Sequence, residues 1–121
     1  MIALHFPCFF WGMEHADDVL VVLCAFPDGE TARQIGTLMV ERQLAACVNL
    51  VANVESIFRW KGKVERAEEV IAWIKTTRGR YPELEEALRA AHPYEVPEII
   101  ALPVTAGFAG YLEWVKDAVG G

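Results

Sequence analysis

Residues 44 to 77 read LAACVNLVANVESIFRWKGKVERAEEVIAWIKTT, and the fold turns on this stretch. Between Glu55 and Trp60 the side chains alternate: Ser56, Phe58 and Trp60 face one way, Glu55, Ile57 and Arg59 the other. That two-residue period belongs to a β-strand. Lys61-Gly62-Lys63 is a turn signal between two such runs. Past the turn, Val70, Ala72 and Ile74 share one face, and Ile71, Trp73 and Lys75 share the other. The stretch predicts a long β-hairpin. Its second strand, from Val64 to Thr76, is apolar on both faces, so both faces need cover.

Upstream, VLVVLCAF (Val19 to Phe26) is a short continuous apolar run. Such a run fits a central strand buried on both sides. Asp28 is a good N-cap, and Glu30 sits in the first turn of the next element. Ala32, Ile35, Gly36 and Met39 recur at helical spacing, which predicts a helix from Gly29 to Gln43. Downstream, RYPELEEALRAAH places Pro82 in a first helical turn and ends at His92, because Pro93 comes next. EIIALPVT is a strand, and Pro103 within it assigns it to a sheet edge. GFAGYLEWVKDAV gives a last helix with Phe108, Tyr111, Leu112 and Val115 on one side.

The order is strand, helix, strand, strand, helix, strand, then an extra C-terminal helix. This is the split β-α-β pattern of an α+β, ferredoxin-like fold, with an antiparallel sheet covered by helices on one face. In a chain of 121 residues the cover for the other face is a second copy of itself. Residues 18–121 form the single domain, and residues 1–17 read as an N-terminal extension. That extension is apolar but lacks the basic start and cleavage site of a signal peptide, and Met13 is an alternative start.

The net charge of −6 argues against nucleic acid as a partner, since phosphate binding needs a basic face. No apolar run is long enough to span a membrane. Cys8, Cys24 and Cys47 are widely spaced and odd in number, which is no disulfide framework and points to a reducing compartment, the cytoplasm. There is no Gly-rich phosphate loop, no G-x-S-x-G and no H-E-x-x-H. The chain does not read as an enzyme.

VVLCAFPD, LAACVN, SIFRWKGK, IKTT, HPYEVPEI, LPVT and YLEW occur in this order. Together they resemble the CutA family of divalent-cation tolerance proteins, over nearly everything from Val19 to Trp114. The resemblance implies a tight homotrimer, related in architecture to PII signalling proteins, with a role in tolerance of copper and other heavy metals. The family's proposed copper ligands are a cysteine in the first strand and two adjacent histidines before Pro-Tyr. The cysteine corresponds to Cys24 and the second histidine to His92, while Ala91 stands where the first histidine would be. Asn49, Trp60, Lys75, Tyr94 and Glu98 also match residues usual in the family.

Strand topology bears on the same residues. In a ferredoxin-like sheet the last strand runs antiparallel beside the first, so Cys24 and His92 become neighbours. A thiolate and an imidazole suit copper or zinc. Two ligands are few, and Glu98 is the candidate third. The competing reading has Cys24 as a small buried hydrophobe and His92 as a hydrogen-bonding residue. Cys47 falls at the other end of the sheet, where burial is the better reading. Lys75 with Glu98 or Tyr94 would form a polar cluster that lines a pocket between subunits or, as the better reading, an ion pair that fixes the trimer contact. In AHPYEVPEII (91 to 100) the two prolines stiffen the path into the last strand.

Overall fold

The structure, a computed structural model, describes residues 15–120. Its elements are β1 (Val19–Phe26), α1 (Gly29–Glu41), β2 (Cys47–Trp60), β3 (Lys63–Thr77), α2 (Tyr81–Ala91), β4 (Ile99–Pro103) and α3 (Ala109–Ala118). They form one antiparallel sheet in the order β2-β3-β1-β4. The α+β reading holds.

Each element follows from local chemistry. The Asp28 carboxylate accepts from the Thr31 amide at 2.7 Å and caps α1. The helix stops at Glu41, two residues before the expected Gln43, because Gln43 takes a left-handed φ of 59° and turns the chain toward β2. Gly36 lets α1 press onto β2: a Cβ there would lie 3.3 Å from a Val48 methyl. At the hairpin turn Lys61 and Gly62 both have positive φ, 50° and 82°, as a tight two-residue turn requires. Pro103 sits on β4, an edge strand, as its missing amide demands.

Side chains of alternate residues divide the sheet into two faces. Val22, Cys24 and Phe26 of β1, Val70, Ala72 and Ile74 of β3, and residues of α1 and α2 make one buried core. A second, smaller core joins Val19, Ala46, Val115 and Val119. Val19 is one residue out of phase with Val22, so α3 lies on the opposite face from α1 and α2. Of the three described helices, α1 and α2 share a face, and α3 covers one end of the other. The remainder of that second face keeps large apolar side chains exposed, among them Trp73, Ile100, Leu102, Tyr111 and Trp114.

The two-sided apolar strand is shorter than its sequence predicts. Residues 63 to 68 are open to solvent apart from a half-buried Ala67, and close burial starts at Glu69. This outer part pairs only with β2, since β1 ends opposite Val70. The hairpin therefore leaves the sheet as a two-stranded ribbon with Ile57, Phe58, Trp60 and Val64 exposed.

The N-terminal extension lies largely outside the described residues. Its last part is tied down: Gly79 donates its amide to the Ala16 carbonyl at 2.7 Å, and at the first residue of the domain Arg78 donates to the Asp18 carbonyl at 2.8 Å.

Candidate functional site

The site forms where β1 ends, beside the turn after α2. Pro93 drives His92 out of helical geometry, to φ −74° and ψ 137°, and ends α2 there. The imidazole thereby folds back onto the end of β1. His92 Nε2 donates to the Ala25 carbonyl at 2.7 Å, one residue past Cys24. His92 Nδ1 accepts the Tyr94 amide at 3.1 Å. Together the two bonds fix one neutral tautomer. The ring stacks on Phe26 at 4.9 Å between centroids and meets the Tyr94 ring at 4.8 Å.

Burial holds the His92 pKa below its ordinary value, against the opposing pull of the Ala25 carbonyl and the Glu69 carboxylate. Tyr94 donates its hydroxyl to Glu69 at 2.7 Å. Its phenol is pushed upward, first by burial and then by that hydrogen bond.

Cys24 is fully buried in the core formed with α1 and α2. Burial, and secondarily the Glu98 carboxylate, pushes its thiol up to about 12. Glu98 itself is exposed. The structure thus brings Cys24, His92 and Glu98 into one neighbourhood, as the strand order predicts. The donor chemistry is closed: both imidazole nitrogens have partners, and the thiol sits in an apolar setting that favours its protonated form. Among the described residues no group of three or more His, Cys, Asp or Glu side chains is arranged to hold a metal ion.

Within one chain Lys75 donates to the Asn49 side-chain carbonyl, and Tyr94 donates its hydroxyl to Glu69. Cys47 is only half-buried. It lies on the second face in register with Lys75, with its thiol 3.8 Å from the Asn49 carbonyl oxygen. Full burial does not describe it. Glu69 gives no signal in the sequence because it falls in a run of charges, ERAEE, whose other members face solvent or cap nothing in the core.

A family description, CutA1 divalent ion tolerance protein, matches residues 20–118. The chain belongs to this family. A CutA protein of Thermus thermophilus is 46% identical over 100 residues, which span 83% of this chain and 97% of that protein. The human protein CutA is 48% identical over 91 residues, 75% of this chain but 51% of its own length. Among solved structures, that of the Thermus thermophilus divalent cation tolerance protein superposes with a TM-score of 0.82 at 45% identity, covering 84% of this chain and 99% of its own. CutA1 of Shewanella sp. SIB1 superposes with a TM-score of 0.83 at 39% identity, covering 88% and 100%. Fold and sequence therefore place this CutA1 family member alike.

Proposed function

We propose that this CutA1 family member serves divalent-cation tolerance as a homotrimer, by binding rather than by catalysis. The observation that carries the assembly is the second face of the sheet. It leaves Trp73 and Ile100, which flank Leu23 of β1 in register, exposed together with Leu102, Tyr111 and Trp114. An apolar area of that kind marks an interface, and the protruding ribbon adds Phe58 and Trp60. Light scattering at micromolar concentration should give three chains per particle. A stable monomer would overturn the reading.

The metal is cargo in this reading, copper or another soft divalent ion, and Cys24 with His92 are its candidate ligands. Binding there must displace the Ala25 carbonyl or the Tyr94 amide from the imidazole and strip a proton from a buried thiol. Affinity is correspondingly modest. In calorimetric titrations with copper and zinc, His92→Ala and Cys24→Ser should each weaken binding, and Ala91→His should strengthen it by adding a second imidazole. Unchanged titrations in the first two variants would leave His92 as a purely structural residue. The free thiols of Cys24 and Cys47 fit the cytoplasm, and cell fractionation tests that placement.

A second reading, a PII-like trimer holding a small ligand between subunits, is favoured by Lys75. That half-buried ammonium has no carboxylate partner among the described residues. A thermal shift with nucleotides but not with metals would select it.

A further inference from the structure

β2 is an edge strand, and its first part is poorly defended. Residues 47–51 pair with β3 on one side only among the described residues. They read CVNLV, with neither a charge nor a proline, the usual guards of such an edge. The register breaks between Val51 and Val54, where Asn53 takes a φ of 62°, so this edge is set apart from the ribbon beyond it. Beside it lies a groove of about 290 Å³, with Gly36 and Val40 of α1 on one wall and Val48 and Leu50 of β2 on the other. Val40 and Leu50 are exposed there. An open edge next to a helix groove accepts an extended peptide, which adds as a strand and sets alternate side chains into the groove.

The chain itself supplies such a peptide. Residues 1–14 lie outside the described part, and in their sequence Ile2, Leu4, Phe6, Cys8 and Phe10 are apolar at every second position, the period of a strand. Where this segment joins the fold is fixed: the Ala16 carbonyl accepts from the Gly79 amide, just past the end of β3 at Thr77. β2 begins at that same end, because Cys47 is in register with Lys75. Two strand spacings, roughly 10 Å, separate β3 from the far side of β2, and about three extended residues cover that span. Gly12, Met13 and Glu14 suffice for the crossing, which leaves the preceding residues to run along the edge. A chain that reaches His15 from there runs opposite to β2, so the added strand is antiparallel, like every other pair in the sheet. Pro7 suits an outermost strand, where the missing amide can face away. We propose that the segment from Ile2 to Trp11 docks on residues 47–51 of its own chain as a fifth strand, with Phe6, Cys8 and Phe10 set against the groove between α1 and β2.

The test uses the full chain in its native assembly. Amide hydrogen exchange of peptides covering residues 47–51 should be slow in the wild type. The double variant Phe6→Glu/Phe10→Glu should speed it roughly tenfold by opening the edge, whereas His5→Glu, which adds a charge at an alternate position, should leave it slow. The reciprocal experiment reads the segment. Chymotrypsin should cut after Phe9, Phe10 and Trp11 slowly in the wild type, and roughly tenfold faster when either wall of the groove is changed, by Leu50→Glu or by Val40→Glu, because cleavage follows the population of the open form. Circular dichroism checks the fold of each variant, and light scattering should give the same number of chains in all of them. The proposal is overturned if the double variant keeps residues 47–51 protected, which would put a second copy's strand on this edge. It is overturned equally if both groove variants are cut at the wild-type rate, if the wild-type segment is cut as fast as an unfolded control, or if protection is lost only together with a change in chain number, which would assign the segment to the subunit interface.

Discussion

The Tyr94 hydroxyl donates to the buried carboxylate of Glu69 over 2.7 Å, and so fastens the turn after α2 to β3 at the point where the hairpin leaves the sheet. Removing the hydroxyl leaves the carboxylate buried without that donor. Tyr94→Phe should therefore cost about 1–3 kcal/mol in urea unfolding at fixed protein concentration. Adding Glu69→Gln should recover part of the loss, because a neutral amide is cheaper to bury unpaired. A Tyr94→Phe protein as stable as the wild type would show that solvent already satisfies Glu69.

His92 makes stability depend on pH. Its Nδ1 accepts a hydrogen bond and cannot take a proton without losing it. Burial sets the folded pKa below that of the unfolded chain, which is about 6.5. Between those two values the unfolded chain binds the extra proton. Stability is thus complete above about 6.5 and declines as pH falls below it. The urea midpoint should be lower at pH 5.5 than at pH 7.5, and His92→Gln should flatten that difference. Parallel profiles for the two proteins would assign the pH dependence to other groups.

At the hairpin turn, Lys61 carries the strain of a positive φ that asparagine tolerates better. Lys61→Asn creates the Asn-Gly pair that such turns favour and should stabilise the protein by about 0.5–1 kcal/mol. Gly62→Ala should destabilise it by a similar amount or more. Thermal unfolding reads both, and a destabilised Lys61→Asn protein would contradict the turn geometry.

On the second face, Leu102→Glu places a charge on the edge strand next to Val21 without touching the main core. Sedimentation should show the assembly shifting toward single chains while far-ultraviolet dichroism keeps the helix and strand signal. An intact trimer would move the interface elsewhere.

The strands are legible in the sequence because their apolar periodicity is long and their stops are chemical: Gly62 in the turn, Pro93 after His92, Pro103 at the edge. The site is legible in place and not in bonding. Strand order alone brings His92 to the end of β1. Which atoms it meets depends on a carbonyl, that of Ala25, which every residue owns and no sequence advertises. The side taken by α3 is hidden for a different reason. Its Tyr111, Trp114 and Val115 are apolar over a wide arc, so periodicity permits either face, and the choice is made by Val19 and Ala46 waiting on the second one. The end of α1 falls two residues short of its periodicity because Arg42 and Gln43 carry no helix-stopping signature; a non-glycine residue supplies the left-handed turn.

β1 lies between β3 and β4 and does not pair with β2, the next strand in the chain: Val19 finds Thr77, and Leu20 finds Pro103. During synthesis the first strand to leave the ribosome is therefore the one that must wait longest for partners. Until β3 emerges, VLVVLCAF is an unpaired apolar segment with only α1 near it in the chain, and its second edge stays open until β4 has emerged. The nascent protein passes through a stage in which its future centre is its stickiest exposed surface, and the speed at which the hairpin is translated sets how long that stage lasts.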